Sequence, residues 1–164
     1  MSDAGAYVVN AREVEWQRLV GLGRLARLER EPGFEQLGFQ LVVVDPGEPV
    51  CMYHGESNQE DFLVVSGECA LVIEGEERRL KQWDFVHCPP MTEHVFVGAG
   101  DGPCAIVMVG TRDPDEKLLY PVNEVAARYG ASVEGETADG DVAYAPFTER
   151  ERFPYRGGDL PDFT

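Results

Sequence analysis

Residues 51–94, CMYHGESNQEDFLVVSGECALVIEGEERRLKQWDFVHCPPMTEH, carry the most informative pattern in this chain. Four side chains in this stretch are candidate metal ligands, and they are His54, Glu56, Glu60 and His94. Two imidazoles with one or two carboxylates can hold a divalent transition metal and leave coordination positions open. The stretch therefore predicts a site for one divalent metal, with iron, manganese, nickel and zinc as the candidates.

The spacing of these residues predicts how they meet. His54 and Glu56 are two positions apart, so on a β-strand they point to the same side. A polar bend at 57–59 separates them from Glu60 and the apolar run 62–65. A strand, a bend and a second strand would bring Glu60 back beside His54.

The first half of the stretch resembles the first motif of the cupin superfamily, G-x5-H-x-H-x3-4-E-x6-G. In this chain the motif positions are occupied by Gly47, His54, Glu56, Glu60 and Gly67. Glu56 replaces the second histidine, and the spacer after Gly47 is one residue longer than in the motif.

The second half is similar to the second cupin motif, G-x5-P-x-G-x2-H-x3-N. Pro89 and His94 match this motif, whereas Trp83 and Met91 replace its two glycines. Gly98 stands where the motif has asparagine. The resemblance extends over roughly residues 36–112.

This resemblance implies an all-β fold, a double-stranded β-helix or jelly-roll barrel, and it places His54, Glu60 and His94 at metal-ligand positions. It also implies a small-molecule ligand inside the barrel, and a homodimer whose strands or terminal arms are exchanged. It does not imply one activity, because this architecture hosts isomerases, dioxygenases, decarboxylases and binding proteins.

Glu56 leaves two interpretations of the site open. If Glu56 binds the metal, two histidines and two carboxylates surround a formally neutralised divalent ion. If it does not, His54, Glu60 and His94 form a 2-His-1-carboxylate set, which suits iron(II). Glu56 would then be a general base, and it is the candidate catalytic residue.

Strand patterns dominate the middle of the chain. Short apolar runs with Gly or Pro turns between them predict a sandwich or jelly roll. We predict an N-terminal arm over 1–35, a cupin barrel over 36–112, and a short helix with an acidic tail over 113–164. The segment 11–31 is expected to hold one helical turn or to be extended.

The C-terminal region is expected to pack on the barrel or on a partner subunit. Asn123 is a favourable N-cap for a short helix, and Gly130 is a favourable stop. One apolar face of this helix is predicted to contain Val122, Val125, Ala126 and Tyr129. The tail carries more aromatic residues than is usual in disordered segments. These aromatics are Tyr144, Phe147, Phe153, Tyr155 and Phe163.

The composition excludes some partners. The chain has 164 residues, of which 14 are basic and 30 acidic, for a net charge of −16. Neither nucleic acid nor a membrane surface is an expected partner, because both attract proteins through lysine and arginine. No apolar stretch of membrane-spanning length and no secretory signal pattern is visible, so a cytoplasmic location is expected.

The remaining histidine and the cysteines have more ordinary interpretations. Cys69 and Cys104 lie in apolar runs and are expected in the core. Cys51 and Cys88 lie near proposed ligands, so a thiolate ligand or a reactive thiol stays open there. His87 is expected on the outer or interface face of a strand.

Three functional hypotheses follow from the sequence. The first is a metal-dependent enzyme of oxygenase or isomerase type that acts on a small organic substrate. The second is a non-catalytic module that binds a small molecule, with or without a functional metal. The third is a structural or interaction protein whose histidines no longer bind metal.

Overall fold

The computed structural model describes residues 5–161, so the predicted tail aromatic Phe163 lies outside the described residues. The regular secondary structure of the described chain is almost entirely β, as the sequence predicts, and its two helices are single turns. The strands are β1 (Glu15–Leu19), β2 (Arg24–Ala26), β3 (Leu37–Val44), β4 (Gly55–Glu56), β5 (Glu60–Ser66), β6 (Glu68–Ile73), β7 (Glu76–Lys81), β8 (Phe85–Cys88), β9 (His94–Ala99), β10 (Cys104–Thr111), β11 (Leu118–Leu119) and β12 (Arg150–Pro154). The helices are α1 (Glu124–Ala127) and α2 (Gly140–Ala143).

Two antiparallel sheets enclose the barrel core. One has seven strands in the order β12-β1-β2-β3-β10-β5-β8, and the other has three in the order β7-β6-β9. A small third sheet pairs β11 with β4. The alternation of each strand sends one set of side chains between the sheets. This inner set includes Val44, Val64, Cys69, Phe96 and Ile106.

The C-terminal region covers the outer faces of both sheets. On the three-stranded sheet, Ala126 of α1 packs against Val72 and Val95. Asn123 caps α1 by accepting hydrogen bonds from the backbone amides of Val125 and Ala126. Val122 is 56% exposed and does not join the predicted apolar face, because it precedes the cap, where the backbone is extended.

The segment 11–31 contains two sheet strands, which agrees with the extended alternative and not with the helical turn. β1 pairs along its whole length with β12, and β2 joins it to β3. Trp16 of β1 is fully buried on the outer face of the seven-stranded sheet, together with Phe153 of β12. Tyr155 and Leu160 of the tail pack against the same cluster.

Turn geometry supports the barrel at the motif positions. Gly67 lies between β5 and β6 with φ of +74°, and a Cβ there would sit 2.4 Å from the Pro103 carbonyl oxygen. Only glycine fits such a close approach in a left-handed conformation. Within residues 5–161, no helix is long and apolar enough to cross a membrane.

Candidate metal centre

His54 and His94 are held opposite each other by their own backbones. The His94 amide donates to the His54 carbonyl at 2.8 Å, and the His54 amide donates to the His94 carbonyl at 3.2 Å. The two ring centroids are 5.2 Å apart. His94 opens β9, and His54 directly precedes β4, so the three-stranded sheet positions both imidazoles.

Backbone carbonyls set the same tautomer in both rings. His54 Nδ1 lies 2.8 Å from the Met52 carbonyl oxygen, and His94 Nδ1 lies 3.0 Å from the Thr92 carbonyl oxygen. An Nδ1–H that donates to a carbonyl leaves Nε2 as an unprotonated acceptor. Metal-bound histidines commonly have this arrangement, because it fixes the ring and directs Nε2 at the ion.

Glu60 completes a three-residue group with these histidines. It is the first residue of β5, so the seven-stranded sheet supplies this carboxylate. Its Oε2 lies 3.3 Å from His94 Nε2. One ligand atom from each of His54, Glu60 and His94 lies within 4.8 Å of the others. The strand-bend-strand interpretation of the sequence had placed Glu60 beside His54, and the structure brings these residues together.

Glu56 lies beside this group but is not a member of it. Its Oε2 is 4.0 Å from His54 Nε2, and its carboxyl group neighbours that of Glu116, which raises the pKa of Glu56. Of the four residues predicted as ligands, the structure thus groups three and directs the fourth to a carboxyl partner.

Glu116 is a residue of the site that the sequence did not reveal. The β11–β4 pairing brings the loop after β10 against the 55–57 segment, and Glu116 accepts a hydrogen bond from the buried Asn58 amide at 2.8 Å. No local spacing relates Glu116 to the motif residues. Only the long-range pairing of two short strands puts it there.

Burial governs the ionisation of the site. It lowers the pKa of His54, and it lowers the pKa of His94 to about 4 with help from neighbouring His54, so both imidazoles are neutral. Burial also raises the pKa of Glu60 to about 8, and the charges of Glu56 and Glu116 add to this. Burial and then Glu116 raise the pKa of Glu56 to about 7. Because the His94 imidazole is neutral, its 3.3 Å contact with Glu60 is not an ion pair.

The group opens into a cavity of about 360 Å³ inside the barrel. Phe62, Phe96 and Met108 form part of its apolar wall. Gln17 of β1 and Arg150 of β12 also line it, and neither was identified from the sequence. A cavity of this size suits a small organic molecule.

The cysteines do not supply a thiolate to this group. Cys51 lines the cavity, but its Sγ lies 3.8 Å from Nδ1 of His54, the nitrogen that faces the Met52 carbonyl. Burial, followed by the charges of Glu60 and Glu56, raises the pKa of the Cys51 thiol to about 12. Cys88 is buried in the barrel core, and burial raises its pKa to about 12.

The other predicted positions agree with their ordinary interpretations. Cys69 and Cys104 are fully buried, which confirms their place in the core. His87 is exposed on β8, and its Nδ1 lies 2.6 Å from Asp61 on the opposite face of β5 from Phe62. It therefore stands apart from the other two histidines.

The donor set fits a divalent transition metal. Two neutral imidazoles with free Nε2 atoms and one carboxylate come from two sheets and face the same cavity. Nitrogen and carboxylate ligands of this number suit iron, zinc, manganese or nickel, and three protein ligands leave positions for a substrate.

Comparison with known proteins classifies the barrel region. The sequence model of the cupin domain family matches residues 40–110, which are 71 of the 164 residues. This stretch of the chain is therefore similar to a cupin domain. No curated protein matches the chain in sequence.

Solved cupin structures share the fold. A sugar phosphate isomerase from a cupin superfamily, from Silicibacter pomeroyi, aligns at 28% identity with a TM-score of 0.56, over 61% of this chain and 66% of that one. The polyketide cyclase RemF from Streptomyces resistomycificus aligns at 15% identity with a TM-score of 0.60, over 87% and 93%. A cupin 2 conserved barrel domain protein from Salinispora arenicola aligns at 22% identity with a TM-score of 0.53, over 79% and 98%. The chain spans just under two thirds of the Silicibacter protein and 55% of a structure from Acidithiobacillus ferrooxidans.

Proposed function

We propose that this protein is a metal-dependent, isomerase-type enzyme that moves a proton between neighbouring carbons of a small organic substrate. The observation that carries the proposal is the grouping of His54, Glu60 and His94 at a cavity, with the Glu56–Glu116 carboxyl pair beside them. Three residues would hold the metal, and a separate carboxyl group is left for proton transfer.

The chain's own residues account for the proton movement. A bound divalent metal would polarise a substrate oxygen and make the adjoining C–H bond more acidic. A carboxylate oxygen of Glu56 would take this proton and return it to the neighbouring carbon, while the hydroxyl proton of the substrate passes to the former carbonyl oxygen. The neighbouring Glu116 carboxyl would favour the protonated form of Glu56 during this transfer. The substrate and its isomer have the same atoms and electrons, so no oxidant or reductant is needed.

The Silicibacter structure supports this reaction class. That protein is described as a sugar phosphate isomerase and is 28% identical to this chain over the aligned part. The RemF and Salinispora structures support the fold alone.

A second candidate function is an oxygenase. The 2-His-1-carboxylate group, with Glu56 outside it, is the ligand set that iron(II) oxygenases use. Iron in the purified protein, together with substrate-dependent oxygen uptake, would favour this candidate over the isomerase.

The first test is elemental analysis of untagged protein purified without chelator. We expect about one equivalent of a divalent transition metal, and its loss in the His54→Ala, His94→Ala double variant. His87→Ala is the matched control, because His87 is exposed and lies outside the group, and it should retain the metal. Absence of metal from the wild type, even after reconstitution, would leave a non-catalytic binding module as the better description.

The second test separates proton transfer from binding. In D2O, a panel of small hydroxy-carbonyl compounds, with and without phosphate groups, is followed by NMR for deuterium incorporation next to the carbonyl. We expect metal-loaded protein to catalyse this exchange and Glu56→Gln to lose it while keeping the metal. Equal exchange by the wild type and Glu56→Gln would remove Glu56 from the mechanism.

We also propose that the protein forms a homodimer. Strand β8 is an open edge of the seven-stranded sheet, and Phe85 on it and Trp83 just before it are 64% and 67% exposed. Exposed aromatic residues beside an open edge favour association. Molar mass by light scattering tests this, and a monomer at all concentrations would contradict it.

A further inference from the structure

The cavity extends from the histidines to two strands that lie outside the motif region. Arg150 opens β12 and is paired with Leu19 of β1, while Gln17 lies two residues from Leu19 on the same face of β1. Both Arg150 and Gln17 line the cavity that His54, Glu60 and His94 line. The cavity thus has an acidic, imidazole-bearing end and an end with a guanidinium and an amide.

Across residues 5–161, the side chains of Arg150 and Gln17 form no hydrogen bond and no ion pair. Arg18, the other arginine that lines the cavity, is already engaged by Glu151 at 2.8 Å and by Glu48 at 3.8 Å. Arg150 is therefore the cationic group of this cavity that a ligand could bind without breaking an ion pair.

A solvated surface arginine is the ordinary explanation for such a residue, and two observations weigh against it. The chain has 30 acidic and 14 basic residues, so carboxylates are plentiful, yet none pairs with Arg150. The amide of Gln17 is also unpaired on the same wall. Cavities that bind small molecules are mostly apolar, with a few converging polar groups that orient the ligand.

We propose that Arg150, assisted by Gln17, binds an oxyanion group of the substrate, either phosphate or carboxylate, and so determines specificity. A planar guanidinium offers parallel N–H donors that match both kinds of oxyanion. The end of the cavity at the histidines carries the carboxyl groups of Glu56 and Glu60, which do not attract an anion. The anionic end of the substrate therefore lies at Arg150, and the uncharged, reacting end lies at the histidines. The identity of the reacting end rests on the proposed function, whereas oxyanion binding does not.

The test measures binding of inorganic phosphate and of acetate, separately, by NMR of the arginine side-chain N–H groups. The titrations use the His54→Ala, His94→Ala variant as background, so that no metal at the histidines can bind the anion. Arg150→Gln is compared with Arg152→Gln, which removes the same charge from the same strand. Arg152 is paired with Glu15 and does not line the cavity.

We expect saturable binding of at least one anion, with a shift of the Arg150 signal. Arg150→Gln should weaken it about tenfold, as for loss of a charge-assisted hydrogen bond, while Arg152→Gln should change it by no more than about twofold. Phosphate binding alone or acetate binding alone would identify the oxyanion. No saturable binding, or equal weakening by both variants, would overturn the proposal. Because the metal content is measured separately, failure here and failure of the metal site are distinguishable.

Discussion

Trp83 and Met91 adopt the left-handed backbone conformation at the two places where the cupin motif has glycines, with φ of 76° and 66°. The turn geometry is thus kept although the residues differ. Gly98 stands at the asparagine position of the motif, and the requirement for glycine there has a different physical cause. A Cβ on Gly98 would lie 2.0 Å from the Asp45 carbonyl oxygen, so the close approach of the 45–46 backbone leaves no room for a side chain.

This crowding predicts that Gly98→Ala destabilises the protein. The 45–46 segment or β9 would have to shift, and such overpacking costs about 1–3 kcal/mol in the free energy of unfolding. Gly102→Ala is the control, since a Cβ there meets nothing within 4 Å. Urea denaturation of both variants measures the difference, and equal stabilities would contradict the explanation.

A second residue-scale prediction concerns acid stability. Buried Arg24 donates two hydrogen bonds to the Asp45 carboxylate, at 2.6 and 3.1 Å. These hydrogen bonds are the main cause that lowers the pKa of Asp45 below its ordinary value of 3.8. A carboxyl group whose pKa is lower in the folded state stabilises the fold above its unfolded pKa and loses this contribution as the pH falls through the folded value.

We therefore expect part of the loss of stability between pH 5 and pH 3 to depend on Asp45. Asp45→Asn should show a smaller fall in the free energy of unfolding over this range than the wild type. Asp101→Asn, at an exposed position, serves as the comparison. An unchanged pH dependence in Asp45→Asn would show that the Arg24 pairing does not contribute.

At the scale of secondary structure, local patterns predicted some elements and missed others. The runs that became β3, β5, β6 and β8 to β10 are largely apolar and bounded by turns, so they were visible in the sequence, as was the return of Glu60 to His54. β1 and β12 were not predicted, because each is charged and carries one large buried residue, Trp16 or Phe153. The two strands pair with each other from opposite ends of the chain, so each needs the other to form. A short window of sequence gives no information about such a long-range pairing.

The pairing of β1 with β12 predicts a large cost for Phe153→Ala. Phe153 is 6% exposed and packs with Trp16 in the outer cluster of the seven-stranded sheet. Replacing such a residue by alanine costs about 3–5 kcal/mol in the free energy of unfolding. Phe39→Ala, at a residue that is 39% exposed, should cost far less, and thermal denaturation of the two variants compares them.

At the scale of the whole molecule, the candidate ligands join the two sheets. His94 belongs to the three-stranded sheet and Glu60 to the seven-stranded sheet, so a metal held by both would link them. A ligand that binds only the folded state stabilises it, by about 2.7 kcal/mol at a hundredfold excess over its Kd.

Removal of the metal should therefore lower the Tm of the wild-type protein. Scanning calorimetry with and without chelator measures the shift, and the His54→Ala, His94→Ala variant should show none. His87→Ala should respond like the wild type. A chelator effect of equal size in all three proteins would place the bound metal elsewhere.

The edge pairing of the seven-stranded sheet also has a consequence for biosynthesis. Glu15 of β1 is opposite Pro154 of β12. This pair cannot form until 139 further residues have been synthesised after Glu15. Domains fold as their chain emerges from the ribosome, and contacts between distant residues form slowly. The barrel strands can assemble while translation continues, whereas Trp16 stays uncovered until Phe153 of β12 has been synthesised. During that interval the nascent chain exposes Trp16 and the apolar outer face around Val43. Chaperone binding or aggregation would then compete with folding.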